Sequence, residues 1–541
     1  MKPISPDRLR RALRDGSEYA LLDVRERGAY AGAHLFSAIN LPLSQLELRM
    51  RQYVPRPDAR VILCDGDDGF AERAGAIMAT AGYTDIYRVE GGVRNCTAAG
   101  FQLFRGHYVW PYAFGLHIDR RYRPAAVTPE NLADSLESDR APVVIDTRRW
   151  DEFREGSVPG AVNVPLGELT YRIRDVVPDS DTPVVVTCGA VTRGVLGAAS
   201  LIEAGISNPV SVLTNGLRGW EHAGFGSVPG TRPMAPEVSA AATALARGAV
   251  RHVAAATGIR HITQETLERW RSDPNRTLYV VDIRTREEYE AGNLRDAVWI
   301  PGGELIGLYE DHIGTMNARV CLVDSEGIRA DFVAGWLNRM GWPDVAVLEG
   351  GTEGQELVAG TRRDAIPEID RLEVELLNPD DLEHLIERKN ILVLDVANSL
   401  TYERSHIPGA WWVSRSQLPG LVEKLPAVER LVTTCPDGRL ALLAAGDLSG
   451  LTDKPVTALR GGTEHWRASG RKLDSGLTRT LGEIDDVPAE FTARPGDDPE
   501  TIRSARRRML EWQAELLDVL DRDPTFAFPD PGKCPQPRRL P

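Results

Sequence analysis

Cysteine is scarce in this 541-residue chain, which holds only Cys64, Cys96, Cys188, Cys321, Cys435 and Cys534. They lie far apart, form no CxxC pair and have no histidine at metal-ligand spacing. That excludes a disulfide scaffold and a zinc site, and makes a reducing compartment the natural setting. Long apolar runs are missing too. No stretch approaches the roughly 20 residues that span a bilayer. The N-terminus, MKPISPDRLRRALRDG, is charged where a secretory signal would be apolar. A cytoplasmic protein without membrane contact is therefore expected. Positive charge is in deficit: 64 Lys and Arg against 78 Asp and Glu give a net charge of −14. Such a surface repels nucleic acid, although a locally positive pocket can still draw in a small anion. Hydrophobic content of 42% and charged content of 26% fit a globular protein, and the length requires several cores.

What the chain has is repetition. A short apolar run ending in Asp occurs four times, in ALLDVRERGAY (Asp23), VVIDTRRWDEF (Asp146), YVVDIRTREEY (Asp282) and LVLDVANSLTY (Asp395). Each is followed by a turn and a second extended segment: AHLFSAINLP, GSVPGAVNVP, GNLRDAVWIP and SHIPGAWWVS. Next come an apolar strand entering a polar loop, an Ala/Leu-rich helical stretch, and a last strand running into a Gly-rich turn. The spacing suits whole domains, not the 20–50-residue units of a solenoid. Short apolar strands alternating with helical patterns predict α/β domains, each a small parallel sheet flanked by helices. The boundaries read as 1–104, 125–226, 259–352 and 376–474, with a helical and Pro-rich tail over 475–541. The aromatic linker 105–127 is expected to pack on a neighbouring domain. The amphipathic pattern around RSARRRMLEWQAELLDVLDRD predicts a helix that docks on its own protein.

The chemistry concentrates in VVVTCGAVTRGVLGAASL (184–201). A strand delivers Cys188 to the carboxyl edge of a parallel sheet, where ligands usually bind, and a helix starts a few residues later. Val195, Ala198, Ala199 and Ile202 fall on one face of that helix. Backbone N–H groups of Gly189, Ala190, Val191, Thr192 and Gly194 would converge on the sulfur, and Arg193 adds a positive charge. These effects should lower the thiol pKa, and the thiolate is the reactive species. The competing interpretation makes Cys188 a small buried hydrophobe at a strand end.

Taken together, Asp146-x-Arg148, VPGAVNVP (158–165), the Cys188–Arg193 loop and NGLRGW (215–220) resemble the rhodanese family. The resemblance extends over four stretches and covers roughly three quarters of the chain; it is nearest to bacterial proteins with four tandem rhodanese-like domains. It implies a thiosulfate sulfurtransferase with no metal or organic cofactor. Cys188 would take the sulfane sulfur of thiosulfate or a related donor as a persulfide, then pass it to a thiol or to cyanide. The related cell-cycle phosphatases have one more residue between Cys and Arg, so the shorter loop favours sulfur over phosphate.

The other loops differ. Asp324 stands where the third domain's cysteine should be, although Gly327 and Arg329 keep their offsets, so that site is expected to be inactive. Cys321, inside the strand, reads as core. In the fourth domain Cys435 is a secondary candidate, with Arg439 one position early. In the first, Cys64 opens a loop crowded by Asp65, Asp67 and Asp68, which should raise its thiol pKa and repel an anion. Arg148 reads as a partner of an acidic side chain. Trp220 and Trp466 read as packing residues, and His34 and His406 as turn stabilisers. Two alternatives stand beside the enzyme: a non-catalytic protein whose modules bind partners, and a relay passing persulfide from Cys188 to Cys435.

Overall fold

The computed structural model describes residues 1–235, 237–361, 366–477, 479–488, 497–523 and 525–529, without the side chains of 252–257. Cys534 and the Pro-rich end from 530 lie outside the described residues. Four parallel sheets follow one another along the chain. In the second, the strand order is Val162–Asn163, Val143–Asp146, Val184–Thr187, Val210–Leu213, Ala125–Val127. The other three share this plan. Valine and isoleucine dominate the central strands because both sheet faces are covered by helices, leaving no polar side to alternate. The fourth sheet gains an edge strand, Thr480–Leu481, on Trp411–Val413. That strand lies in the region that the pattern assigned to the tail.

Strand register equates the four loops. Asp146 pairs with Thr187 immediately before Cys188, as Asp282 pairs with Val323 before Asp324 and Asp395 with Thr434 before Cys435. In the first domain Asp23 pairs with Cys64 itself. Cys64 is thus the last strand residue, and Asp65 holds the loop position. The expectation that Cys64 opens the loop is corrected by this one-residue shift, which turns the thiol from the site into the core.

The domains are not beads on a string. One continuous apolar cluster runs through domains one to three and takes in Met509, Trp512, Leu516, Leu517 and Leu520 of the helix Pro499–Leu520. The aromatic linker forms the helix Val109–Tyr122, with Trp110 and Phe114 buried. The Trp110 indole donates to the Met340 carbonyl of the third domain at 3.1 Å. The fourth domain keeps separate clusters. Ion pairs fasten it and the segment before it to the first: Arg415 grips Glu47 at 2.7 and 2.8 Å, and Arg51 meets Glu368 of that segment at 2.5 Å.

Candidate active site

Cys188 leaves the strand Val184–Thr187 and the helix Thr192–Glu203 begins four residues later. The loop between them is held from below by the turn at Asn215–Gly216. Leu217 N–H donates to the Cys188 carbonyl at 2.8 Å and Arg218 N–H to the Gly189 carbonyl at 3.1 Å. Gly216 has φ +55°, and a Cβ there would sit 2.4 Å from the Cys188 carbonyl oxygen. Only glycine fits that approach. The position where a Cβ of Gly194 would stand is 3.5 Å from the Cys188 sulfur, so the lack of a side chain keeps the helix start open to it.

Cys188 is a free, buried thiol, 3% exposed. Burial pushes its pKa up from the ordinary thiol value. The Arg193 charge and the backbone N–H groups of Ala190 and Gly194 oppose that rise without cancelling it. The expectation of a lowered thiol pKa is therefore corrected, and the reason is burial, with the Asp146 carboxylate adding to it. Arg193 is also tied to Glu152. Both Glu152 oxygens accept from Arg193, at 2.7 Å each. Burial alone would raise Glu152, yet this fork holds its carboxyl at about 2. The guanidinium beside the thiol is thus already matched by a carboxylate.

Arg148 grips Asp146, its Nε donating at 3.0 Å and its Nη2 at 2.7 Å, and also reaches the Gly156 carbonyl. Trp220 and Trp466 are buried in packing positions. His34 and His406 stack on Tyr30 and Tyr402 and bond those residues' carbonyls through Nδ1.

Above the loop lies a cavity of about 420 Å³. It brings together all the residues expected from 188 to 193 with others that pattern reasoning missed: Glu152, Arg218, Tyr108, Tyr112, Leu308 and Met509. Glu152 and Arg218 belong to the second domain; the others come from the linker, the third domain and the terminal helix. Among the described residues none that lines it belongs to the fourth domain, so this cavity does not join Cys188 to Cys435. Gly307 of the third domain leaves room for the Arg193 stem, with 3.3 Å between the position of a Cβ there and Arg193 Cγ.

Glu152 had a readable signal. Glu stands six residues after the strand aspartate in domains two and three (Glu152, Glu288), where Arg follows the loop position by five (Arg193, Arg329). Domains one and four have neither, with Ala29 and Phe70, and Thr401 and Leu440, at those offsets. Arg218 was visible inside NGLRGW, whereas Tyr112, Leu308 and Met509 arrive only by folding.

The other three loops lack this arrangement. Asp324 uses its carboxylate on its own loop, accepting from the N–H groups of Ser325 at 2.7 Å and Arg329 at 2.9 Å. The Arg329 guanidinium is consumed by Asp324, Glu288 and Glu168 of the second domain. Asp65 likewise accepts from the N–H groups of Asp67 and Ala71, both at 3.0 Å. Each aspartate fills the nest that a sulfur would need. Cys435 occupies the loop position, but burial pushes its thiol up to about 12. Its sulfur lies 3.6 Å from Asp437 Oδ1, while Arg439 points outward, half its side chain exposed, and pairs with Asp437.

The comparisons with known proteins agree with this architecture. The family described as rhodanese-like domain matches residues 5–99, 128–223, 263–356 and 378–469. The chain belongs to that family. A solved structure described as thiosulfate sulfurtransferase from Pseudomonas aeruginosa is 35% identical, with TM-score 0.90 over 98% of this chain and 99% of that one. Among curated relatives, the putative sulfur carrier protein YrkF of Bacillus subtilis (strain 168) is 23% identical over 94 residues. That stretch is 17% of this chain and about half of YrkF, 49%. The uncharacterized protein YqhL of the same organism is 33% identical over 94 residues, 17% of this chain and 71% of YqhL.

Proposed function

We propose that this protein is a thiosulfate sulfurtransferase in which the second domain carries the reaction and Cys188 carries the sulfur. Family membership and the likeness to the Pseudomonas enzyme support sulfur transfer as the class of activity. The observation that favours Cys188 is its place in a Gly-lined loop at the floor of a cavity, with Arg193 at its side. Once deprotonated, the thiolate attacks the outer sulfur of thiosulfate. The new Sγ–S bond forms as the donor's S–S bond breaks, and sulfite leaves with the electron pair. The persulfide then gives its outer sulfur to a thiolate or to cyanide, which regenerates the Cys188 thiolate. Two half-reactions through a covalent intermediate imply ping-pong kinetics. The residues expected to cradle the donor are Gly189, Ala190, Val191, Thr192 and Gly194, with Arg193 positioned by Glu152. The free thiols of the five described cysteines suit a cytoplasmic setting.

Incubation with thiosulfate followed by intact-mass and peptide analysis tests the assignment. Cys188 should gain one sulfur with release of sulfite, and Cys188→Ser should abolish both. Sulfur on Cys435 alone would overturn the ranking. No cysteine gaining sulfur would leave a protein-binding role for the modules, which the self-capped loops of domains one and three would also suit.

A further inference from the structure

The reading of Cys188 as the sulfur carrier leaves one electrostatic question open. Thiosulfate is a dianion, and the chain around it is strongly acidic. Three arginines stand near the thiol. Arg193 is neutralised by Glu152 through two 2.7 Å contacts, and Arg148 by Asp146. Arg218 is different. It lines the same cavity as Cys188, and its contact there is with a neutral group, its Nη1 donating to the Tyr112 hydroxyl at 3.1 Å. Among the described residues no carboxylate pairs with it. Its charge is felt across the cavity, where, after burial and Arg27, it helps hold His107 down at about 3.

Its placement is also fixed. Arg218 follows the Asn215–Gly216 turn, and its N–H donates to the Gly189 carbonyl next to the reactive cysteine. Backbone therefore sets the root of the side chain, and Tyr112 from the linker helix sets the fork. A half-buried, pre-oriented guanidinium without a counter-charge is what an oxyanion needs, because charge-assisted contacts gain strength where water is partly excluded.

We propose that Arg218, held by Tyr112, is the specificity-determining residue that binds the sulfonate end of the donor, while Arg193 is a positioning residue whose charge Glu152 has matched. This rests on the function proposed above. The step it assists is sulfur loading, in which sulfite departs still carrying the negative charge that Arg218 binds.

The test measures two rates on Cys188 by mass, sulfur loading from thiosulfate and alkylation by neutral iodoacetamide. Arg218→Gln should slow loading roughly 10- to 100-fold, the effect of losing one charge-assisted contact, while alkylation stays within about 3-fold. Arg218→Lys should recover much of the loss. Added salt should slow loading by the wild type more than by Arg218→Gln. Equal losses in both rates would make Arg218 a modulator of the thiol and overturn the proposal, as would unchanged loading. A melting curve for each variant identifies loss of fold, and Tyr112→Phe then decides the matter by a smaller loss confined to loading. Failure of the wild type itself to load sulfur would instead overturn the function proposed above, and this inference with it.

Discussion

At the scale of single residues, the Arg193–Glu152 pair governs the thiol. Glu152→Gln leaves Arg193 uncompensated, so the alkylation profile of Cys188 should move to lower pH. Arg193→Ala leaves a half-buried carboxylate beside the sulfur, with Arg149 still near it. The profile should then move to higher pH, and the unfolding free energy should fall by roughly 1–2 kcal/mol, less than for a fully buried pair. Opposite shifts from the two halves of one pair would establish the electrostatic account; shifts in the same direction would defeat it. The strand aspartates provide a second contrast. Asp146 has Arg148, whereas Asp395 has Ala397 at that offset and, among the described residues, its side chain accepts from that N–H alone, at 2.9 Å. Burial raises the Asp395 carboxyl to about 7. At pH 8 Asp395→Asn should change stability by less than about 1 kcal/mol, or improve it, since it removes a buried unpaired charge. Asp146→Asn strands Arg148 and should cost roughly 3 kcal/mol by denaturant titration.

At the scale of elements, a strand, a turn and two helices borrowed from outside the second domain make the site. Gly216→Ala would place a Cβ in the Cys188 carbonyl at a positive φ. It should abolish sulfur loading while the far-UV spectrum persists. The terminal helix is the other control point. Trp512 packs against Gly106 and Tyr112, and Met509 lines the cavity. Trp512→Ala removes the brace for Tyr112 and opens a wall. Alkylation of Cys188 by a bulky maleimide should accelerate, at a stability loss of roughly 3–5 kcal/mol.

At the scale of the molecule, the shared core of domains one to three contrasts with the ion-paired attachment of the fourth. The fourth domain should therefore melt first, and raising salt should widen the gap between two calorimetric transitions. A pH effect belongs here too. Glu26 lies buried near Asp485 at the seam of domains one and four, and burial, aided by that neighbour, raises its carboxyl to about 7. Burial and neighbouring Asp311 raise Glu310 to about 8. Both are protonated in the native state at pH values where the unfolded chain is ionised. Their contribution is complete below the ordinary carboxylate range and is lost as pH rises through 7 to 8. The melting temperature should thus decline from pH 5 to pH 8, and Glu26→Gln with Glu310→Gln should flatten that decline.

The sequence by itself determined the four α/β domains, because strand and helix periods and Gly-rich turns are local properties that repeat visibly around Asp23, Asp146, Asp282 and Asp395. It also placed Cys188 and Arg193 in one loop, since a nest of backbone N–H groups is built from consecutive residues. Tertiary structure decided the rest. Strand register moved the first domain's site from Cys64 to Asp65, a one-residue matter that composition does not resolve. Long-range pairing gave Arg193 to Glu152 and left Arg218, among the described residues, without a carboxylate, while burial of the loop reversed the expected shift of the thiol. Packing brought Tyr112, Leu308 and Met509 over the sulfur from three separate parts of the chain. Charge state and cavity shape depend on such distant neighbours, and no local pattern contains them.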